Sequence, residues 1–360
     1  MRIALVYTVL DSISGEKVFF DNMIRGLRER GMDVVLCPVR QAAPKTLSGK
    51  FEFYSRLSLI RAAKRELGKH KVDVVHFLNS ALSPAWKSAR GARTIATSHF
   101  IASSYHELSP PKSAAESLAE KAYCGYVRWL DRPAFGAMDK MAACAPYQAA
   151  FLAKDYSLGN VVSILPGIDN AFFKKTRRRD LRSEFGSERV IAYVGRLHER
   201  SKGVSYLIRA MEHLDAKLVV VGDGPDEGNY RRLARELSLE GKISFSGRLG
   251  FREKTEIQKS ADVMAIPSLY EAYGTVFAES LSCGVPVVAF DMPFWKGLYD
   301  GAGIFAEPRN PRALSAAIRS ALEEKTRGAL IRRGLETAKA HDLPLTLDSY
   351  MDAYSALHNR

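Results

Sequence analysis

The sequence predicts an α/β protein made of two doubly wound parallel-sheet domains, and three observations carry that expectation. Short, continuous apolar runs, such as VDVVHF at residues 72–77, alternate with amphipathic helical stretches. Strands covered on both faces read this way, and helical crossovers over a parallel sheet supply that cover. The alternation loosens once, across residues 168–187, and then restarts. Finally, 360 residues exceed one ordinary domain and suit two of roughly 150–200.

In the first half, strands are expected at residues 2–8, 33–39, 72–77, 93–98 and 140–144. The opening MRIALVYTVL stops at Asp11 without a small-residue cleavage site, so it reads as a first strand and not as a signal peptide. Between the first two strands, residues 16–30 set Val18, Phe19, Met23, Ile24 and Leu27 on one helical face, and Gly31 is placed to cap it. Residues 168–187, rich in charge and poor in periodicity, read as a linker. The second half then gives strands at 190–194, 217–221, 242–245, 262–266 and 285–290, with helices at 204–214, 226–239, 253–260 and 275–283 between them. Helices near 311–324 and 326–340 follow, and a last helix at 345–357 has no strand after it. No short-period repeat and no low-complexity tract interrupts this order. The expected division is residues 1–167 with 344–360, and residues 168–343.

Hydrophobic residues at 46% and charged residues at 26% fit a soluble globular chain, and no apolar run approaches the ~20 residues that span a bilayer. Cys37, Cys124, Cys144 and Cys283 have neither metal-ligand nor CxxC spacing, so they read as buried thiols of a reducing, cytoplasmic compartment. The net charge of +13 points to anionic partners: phosphorylated substrates, an acidic membrane face or nucleic acid. The densest basic run, KKTRRR at 174–179, lacks interleaved aromatics or a zinc pattern, so no nucleic-acid partner is expected. It reads as a solvated linker or a membrane-facing patch.

Two constellations carry chemistry. In SLYEAYGTVFAE at 268–279, Gly274 permits a tight approach to a helix starting at Thr275. The first amides of that helix, at Gly274, Thr275 and Val276, form a cradle for phosphate, helped by the helix dipole. Glu279 lies about one turn into the helix, toward a ribose diol, while Glu271 on the loop reaches the other way, toward a sugar; a carboxylate accepts from two hydroxyls at once. The plainer reading makes Glu279 a surface helix residue and Glu271 a capping group. In YVGRLHERSKG at 193–203, Gly195 leaves room for a ligand, and Arg196 and Lys202 supply two cations for a pyrophosphate and its departing charge. The alternative there is an ordinary basic loop.

Glu271 and Glu279 in Glu-x7-Glu spacing, the Gly-Arg…Lys-Gly of 195–203 and the VGDGP of 221–225 resemble the donor half of a retaining glycosyltransferase of family 4 (glycosyl transferases group 1 type). The resemblance covers essentially the whole chain, more closely in the second half. It implies the GT-B fold, two Rossmann-like domains facing a cleft, with the last helix returning to the first domain. It assigns the donor nucleotide to the second domain and the acceptor side to the first. It implies that Arg196 and Lys202 hold the donor diphosphate with the amides of Gly274, Thr275 and Val276, that Glu279 binds the ribose and Glu271 the transferred sugar, and that Arg248 and Leu249 lie near the base. The family's Gly-Gly pair after the first strand is reduced here to Gly15, with Ser14 before it. His99, after the strand at 93–98, stands where the family places its active-site histidine. A lone histidine after a strand is otherwise more often structural.

The expected activity is transfer of a hexosyl unit from a nucleotide diphosphate sugar to a hydroxyl of a glycan, lipid-linked or small-molecule acceptor, with retention implied by the family. It proceeds by cleft closure and front-side attack, since no residue reads as a covalent nucleophile. No cofactor is expected. No Asp-x-Asp is present, so Arg196, Lys202 and a helix N-terminus are expected to replace a metal. Three rivals remain: a nucleotide-sugar 2-epimerase of the same fold, a non-catalytic nucleotide-sugar-binding protein, and a dinucleotide-dependent oxidoreductase, which would want Gly-x-Gly-x-x-Gly after the first strand. Residues 112–129 mix Leu118, Tyr123, Tyr126, Val127 and Trp129 with Lys112, Lys121 and Arg128. They read as a helix packed on its own domain or as a surface leaning on an anionic membrane at its inner face.

Overall fold

The structure, a computed structural model, describes residues 1–9, 15–40, 50–99 and 114–359. The chain divides into two compact units, Met1–Gly167 with Leu343–Arg360, and Ile168–Asp342. Each is built on a six-stranded sheet whose neighbours all pair in parallel.

The first sheet runs β2 (Asp33–Val39), β1 (Arg2–Thr8), β3 (Val74–Phe77), β4 (Arg93–Ser98), β5 (Lys140–Ala143) and β6 (Val161–Ser163). Helices α1 (Gly15–Glu29), α2 (Lys50–Leu67), α3 (Ala114–Ala137) and α4 (Pro146–Tyr156) connect strands, and a 3₁₀ segment, Ser80–Ser88, follows β3. One face of the sheet buries Val75, Phe77, Ile60, Phe135 and Leu152; the other buries Leu5, Phe20, Met23 and Ile95. The last helix, α14 (Leu343–His358), completes this second face with Leu347, Tyr350, Tyr354 and Leu357. It lies so close on α1 that a Cβ at Gly26 would meet Leu347 Cδ1 at 2.3 Å.

Helix α14 is also tied to the sheet by buried polar groups. His76 on β3 has its Nδ1 2.6 Å from the Tyr354 hydroxyl and its Nε2 2.7 Å from Thr97 Oγ1, which is 2.8 Å from the Tyr350 hydroxyl. All four side chains are buried, and pairing them removes the cost of taking polar atoms out of water. Burial pushes the His76 imidazole down to about 3, with His99 a smaller contributor, so it is neutral.

The second sheet runs β12 (Ile304–Ala306), β11 (Val287–Phe290), β10 (Val263–Ile266), β7 (Val190–Val194), β8 (Lys217–Val221) and β9 (Ile243–Gly247). Between these come α7 (Glu199–Lys202), α8 (Val204–Ala210), α9 (Glu227–Glu236), α10 (Phe251–Ser260) and α11 (Thr275–Ser282), with α12 (Pro311–Leu322) and α13 (Glu324–Lys339) after β12.

Residues 168–187 correct the sequence reading. They are not a linker: they fold onto the second unit through α5 (Asn170–Lys175) and α6 (Leu181–Phe185). Asp169 and Asp180 cap these helices, accepting from the Phe172 and Ser183 amides, while Phe173 and Leu181 are buried. The Asn170 amide donates to the Ala338 carbonyl at 2.8 Å. The basic run at 174–179 is anchored as well. Lys259 donates to the Phe173 and Lys174 carbonyls, and Arg179 holds Glu184 with two contacts.

Candidate active site

In the second sheet the chain moves outward from β7 through β8 to β9, then returns to the other side of β7 to begin β10. The loops after β7 and β10 therefore leave the sheet side by side at a topological switch point, where open α/β sheets bind ligands. The two sequence constellations are these two loops.

After β7 the backbone turns through Gly195, Arg196 and Leu197. The buried Tyr193 hydroxyl donates to the Arg196 carbonyl at 2.9 Å, and burial, then the Glu271 and Glu199 carboxylates, push that phenol well above its ordinary value. The short helix α7 presents Lys202 and ends at Gly203, whose φ of 57° suits glycine; a Cβ there would lie 2.6 Å from the Pro267 carbonyl. Contact that close lets the Leu269 and Tyr270 amides both donate to the Ser201 carbonyl, at 2.8 and 3.0 Å. The two loops are thereby joined backbone to backbone.

Across this joint the Lys202 ammonium meets Glu271 Oε1 at 2.5 Å, and the Ser268 hydroxyl donates to the same oxygen at 2.8 Å. Both side chains are mostly covered, at 21% and 17% exposure. With Oε1 taken twice, Oε2 keeps its acceptor capacity for an incoming hydroxyl.

Gly274 starts α11 with φ 76° and ψ 56°, and a Cβ there would lie 2.4 Å from Trp295 Cζ3. It offers no side chain to cap the helix, so the amides of Thr275 and Val276 stand at the positive end of the dipole without a side-chain cap from that residue. The turn rests on an aromatic stack: Tyr299 lies against Phe277 at 4.2 Å and against His341 at 4.9 Å, and its hydroxyl donates to the Tyr273 carbonyl at 3.2 Å. The Tyr273 hydroxyl is 2.8 Å from His341 Nδ1.

Glu279, one turn into α11, is buried at 4% exposure, unlike a surface helix residue. Its Oε2 accepts from the Lys254 ammonium of α10 at 2.6 Å. Arg196 is exposed. Arg248, after β9, is exposed and pairs with Asp223 at 3.3 Å, and Leu249 is half-buried beside it. His198, between Arg196 and Lys202, has its Nδ1 2.8 Å from Ser201 Oγ.

In the first unit, His99 follows β4, with Phe19 and Phe20 of α1 packed against its ring at 4.8 and 6.0 Å. Its Nε2 lies 3.0 Å from the Leu78 carbonyl. A carbonyl only accepts, so the proton sits on Nε2 and Nδ1 is left as an acceptor. Burial pushes His99 down to about 4, outweighing the Leu78 bond, so the ring is neutral at physiological pH. Gly15 is the exposed first residue of α1. Beside it Glu16, missed from sequence, accepts from the Asn79 amide at 2.7 Å; burial pushes its carboxyl up against the effect of that bond. Ser14, Phe100 and Lys112 lie outside the described residues.

Lys254, Ser268, Asp223 and Glu16 are the polar partners that sequence reading passed over. Ser268 and Asp223 sit inside the quoted motifs and Glu16 directly follows Gly15, so adjacency was an available signal; Lys254 had none. Among the described residues, no group of three or more His, Cys, Asp or Glu is placed to hold a metal ion.

Residues 174–337 match the family described as Glycosyl transferases group 1, and residues 13–172 match Glycosyltransferase Family 4. An uncharacterised glycosyltransferase of Methanocaldococcus jannaschii is 34% identical over 143 residues, 38% of this chain and 36% of its own length. The D-inositol 3-phosphate glycosyltransferase of Mycobacterium bovis is 32% identical over 133 residues, 34% of this chain and 28% of its own. The chain thus spans about a third of the length of the curated relatives it matches. Among solved structures, the sucrose-phosphate synthase of Thermosynechococcus elongatus superposes with a TM-score of 0.82 at 19% identity, over 99% of both chains. HepE of Anabaena, solved in complex with UDP-glucose, gives 0.75 at 16% identity, over 98% of this chain and 99% of its own. At these identities the likeness shows the fold, which is GT-B.

Proposed function

The chain belongs to the glycosyltransferases, with its Family 4 half at residues 13–172 and its group 1 half at 174–337, and from that premise we propose that it transfers a sugar from a nucleotide diphosphate sugar to an acceptor hydroxyl. The observation that carries the proposal is the Lys202–Glu271 pair at the switch point of the second sheet, beside the uncapped start of α11. One short stretch of surface there holds a cation, an acceptor carboxylate and helix amides, which are the groups a diphosphate joined to a sugar requires. HepE, of the same fold, holds UDP-glucose.

In this reading Arg196, Lys202 and the amides of Gly274, Thr275 and Val276 take the diphosphate. Glu279 accepts from the ribose, Glu271 Oε2 from the sugar, and Arg248 with Leu249 borders the base. Lys202 and Arg196 stabilise the charge that grows on the departing nucleotide. His99, neutral and with Nδ1 free of its proton, accepts from a sugar hydroxyl and does not act as a cationic acid. Glu271, with Oε1 engaged by Lys202 and Ser268, is a positioning acceptor and not a nucleophile, and the retention that the family resemblance implies then has the acceptor attack the face the nucleotide leaves. The transferred unit is a hexosyl group. The cations carry the diphosphate charge without a metal, so turnover should persist in EDTA.

The proposal extends to the acceptor side. On α3, Leu118 and Trp129 are 72% and 73% exposed, and Lys121, Gly125 and Arg132 share their helical face. No helix among the described residues is long and apolar enough to cross a membrane. The stripe suits the cytoplasmic face of an anionic bilayer bearing a lipid-linked acceptor.

The donor proposal is tested by thermal shift with UDP-, GDP- and ADP-sugars. One of the three should raise the melting point, and Glu279→Ala should weaken that response. If none does so, the proposal fails.

A further inference from the structure

Helix α10, which carries Lys254, is fastened to α11 by two side chains one turn apart. Gln258 donates to the Val276 carbonyl at 3.1 Å and to Ser280 Oγ at 2.9 Å. Lys254 donates to Glu279 Oε2 at 2.6 Å, with side-chain exposures of 16% and 5%. The Lys254 ammonium also lies 4.5 Å from the centre of the Phe251 ring, which packs on Phe172 at 5.1 Å. That contact confines the ammonium from a second side. The other lysine of this helix segment, Lys259, points elsewhere and is spent on the Phe173 and Lys174 carbonyls.

We propose that Lys254 is the positioning residue that sets ribose recognition by Glu279. The proposal rests on the reading of Glu279 as the ribose acceptor. Lys254 pairs with the buried Glu279 carboxylate without blocking it: Oε2 is engaged and Oε1 keeps its lone pairs. The rotamer is fixed before the ligand arrives, so the ribose bond forms with less ordering cost. Lys254 therefore acts through Glu279 and does not itself touch the reacting atoms. Its signature is selectivity between ribose and deoxyribose, beyond any change in overall affinity.

The test is calorimetric titration of the full-length protein with UDP, GDP and ADP, each against its 2′-deoxy and 3′-deoxy counterparts. For the diphosphate that binds wild type best, ribose should be preferred over at least one deoxy form by about tenfold to a hundredfold, the worth of a hydrogen bond to a charged group. Glu279→Ala should bring that ratio to within about threefold. Lys254→Met should do the same, and Lys254→Arg should restore most of it. Should Lys254→Met unfold, the charge-balanced double variant Lys254→Met/Glu279→Ala is titrated against Glu279→Ala alone. Equal ratios support the proposal, and a further fall overturns it by giving Lys254 a role independent of Glu279. If Glu279→Ala erases the preference while Lys254→Met keeps it, the proposal is overturned and the ribose reading stands. If Glu279→Ala keeps the preference, the ribose reading falls and takes the proposal with it.

Discussion

Acid should weaken the first unit through two histidines that are held neutral. The His76 imidazole is pushed down to about 3 by burial and that of His99 to about 4, against an ordinary value of 6.5. A group depressed in this way contributes stability that is complete above its unfolded value and is lost as pH falls toward its folded one. The sensitive window therefore opens just below pH 6.5 and closes near 3 for His76 and near 4 for His99. Between about pH 7.5 and about pH 5, linkage gives a loss of about 2 kcal/mol for each. Glu16, whose carboxyl is raised, works in the opposite sense and takes back part of the loss. The assay is urea unfolding followed by circular dichroism at the two pH values. With slopes of about 1–3 kcal/mol per molar, a loss of about 4 kcal/mol from the two histidines lowers the midpoint by on the order of 1–4 M, less what Glu16 takes back. His76→Gln removes one of the two titrations, so its midpoint should fall by roughly half as much while starting lower, because buried hydroxyl partners are left behind. Equal pH slopes in wild type and His76→Gln would refute the reasoning.

Three further outcomes follow from particular contacts. Gly274→Ala forces a Cβ to within 2.4 Å of Trp295 and a side chain onto φ 76°; it should cost about 1–3 kcal/mol of stability, read as melting temperature, and should weaken diphosphate binding in the same protein. Lys202→Met leaves the Glu271 carboxylate half-buried without its cation and should weaken donor binding by at least about tenfold, whereas Lys202→Arg should recover part of it; calorimetry reads both. Trp129→Ser on α3 should abolish co-sedimentation with anionic liposomes at low salt while leaving the melting temperature unchanged, and wild type that stays in the supernatant at low salt would sink the membrane reading.

Much of the fold is legible because a strand covered on both faces leaves an unbroken apolar run. The strands Arg2–Thr8, Val190–Val194 and Lys217–Val221 stand out for that reason. The edge strands Val161–Ser163 and Ile304–Ala306 do not, since three residues are too few to show a period. The same limit hid Asn170–Lys175 and Leu181–Phe185, at six and five residues each. The caps Asp169 and Asp180 are signals written in the sequence, within a stretch dominated by charge. At the candidate site the split is different. Motif spacing can place Lys202 and Glu271 on adjacent loops, because both follow strands that flank one switch point. It cannot pair Lys254 with Glu279, for that contact depends on how two helices on one face of a sheet are rotated about their axes.

The most direct measurement is release of nucleoside diphosphate from UDP-, GDP- and ADP-sugars, followed by coupled assay in wild type and Glu271→Gln. At least one donor should be consumed by wild type in the presence of EDTA. Glu271→Gln should slow that consumption by about a hundredfold or more, the scale of losing a charged contact made to the reacting sugar. A wild-type protein that consumes none of the three, or a Glu271→Gln variant as fast as wild type, would contradict the account.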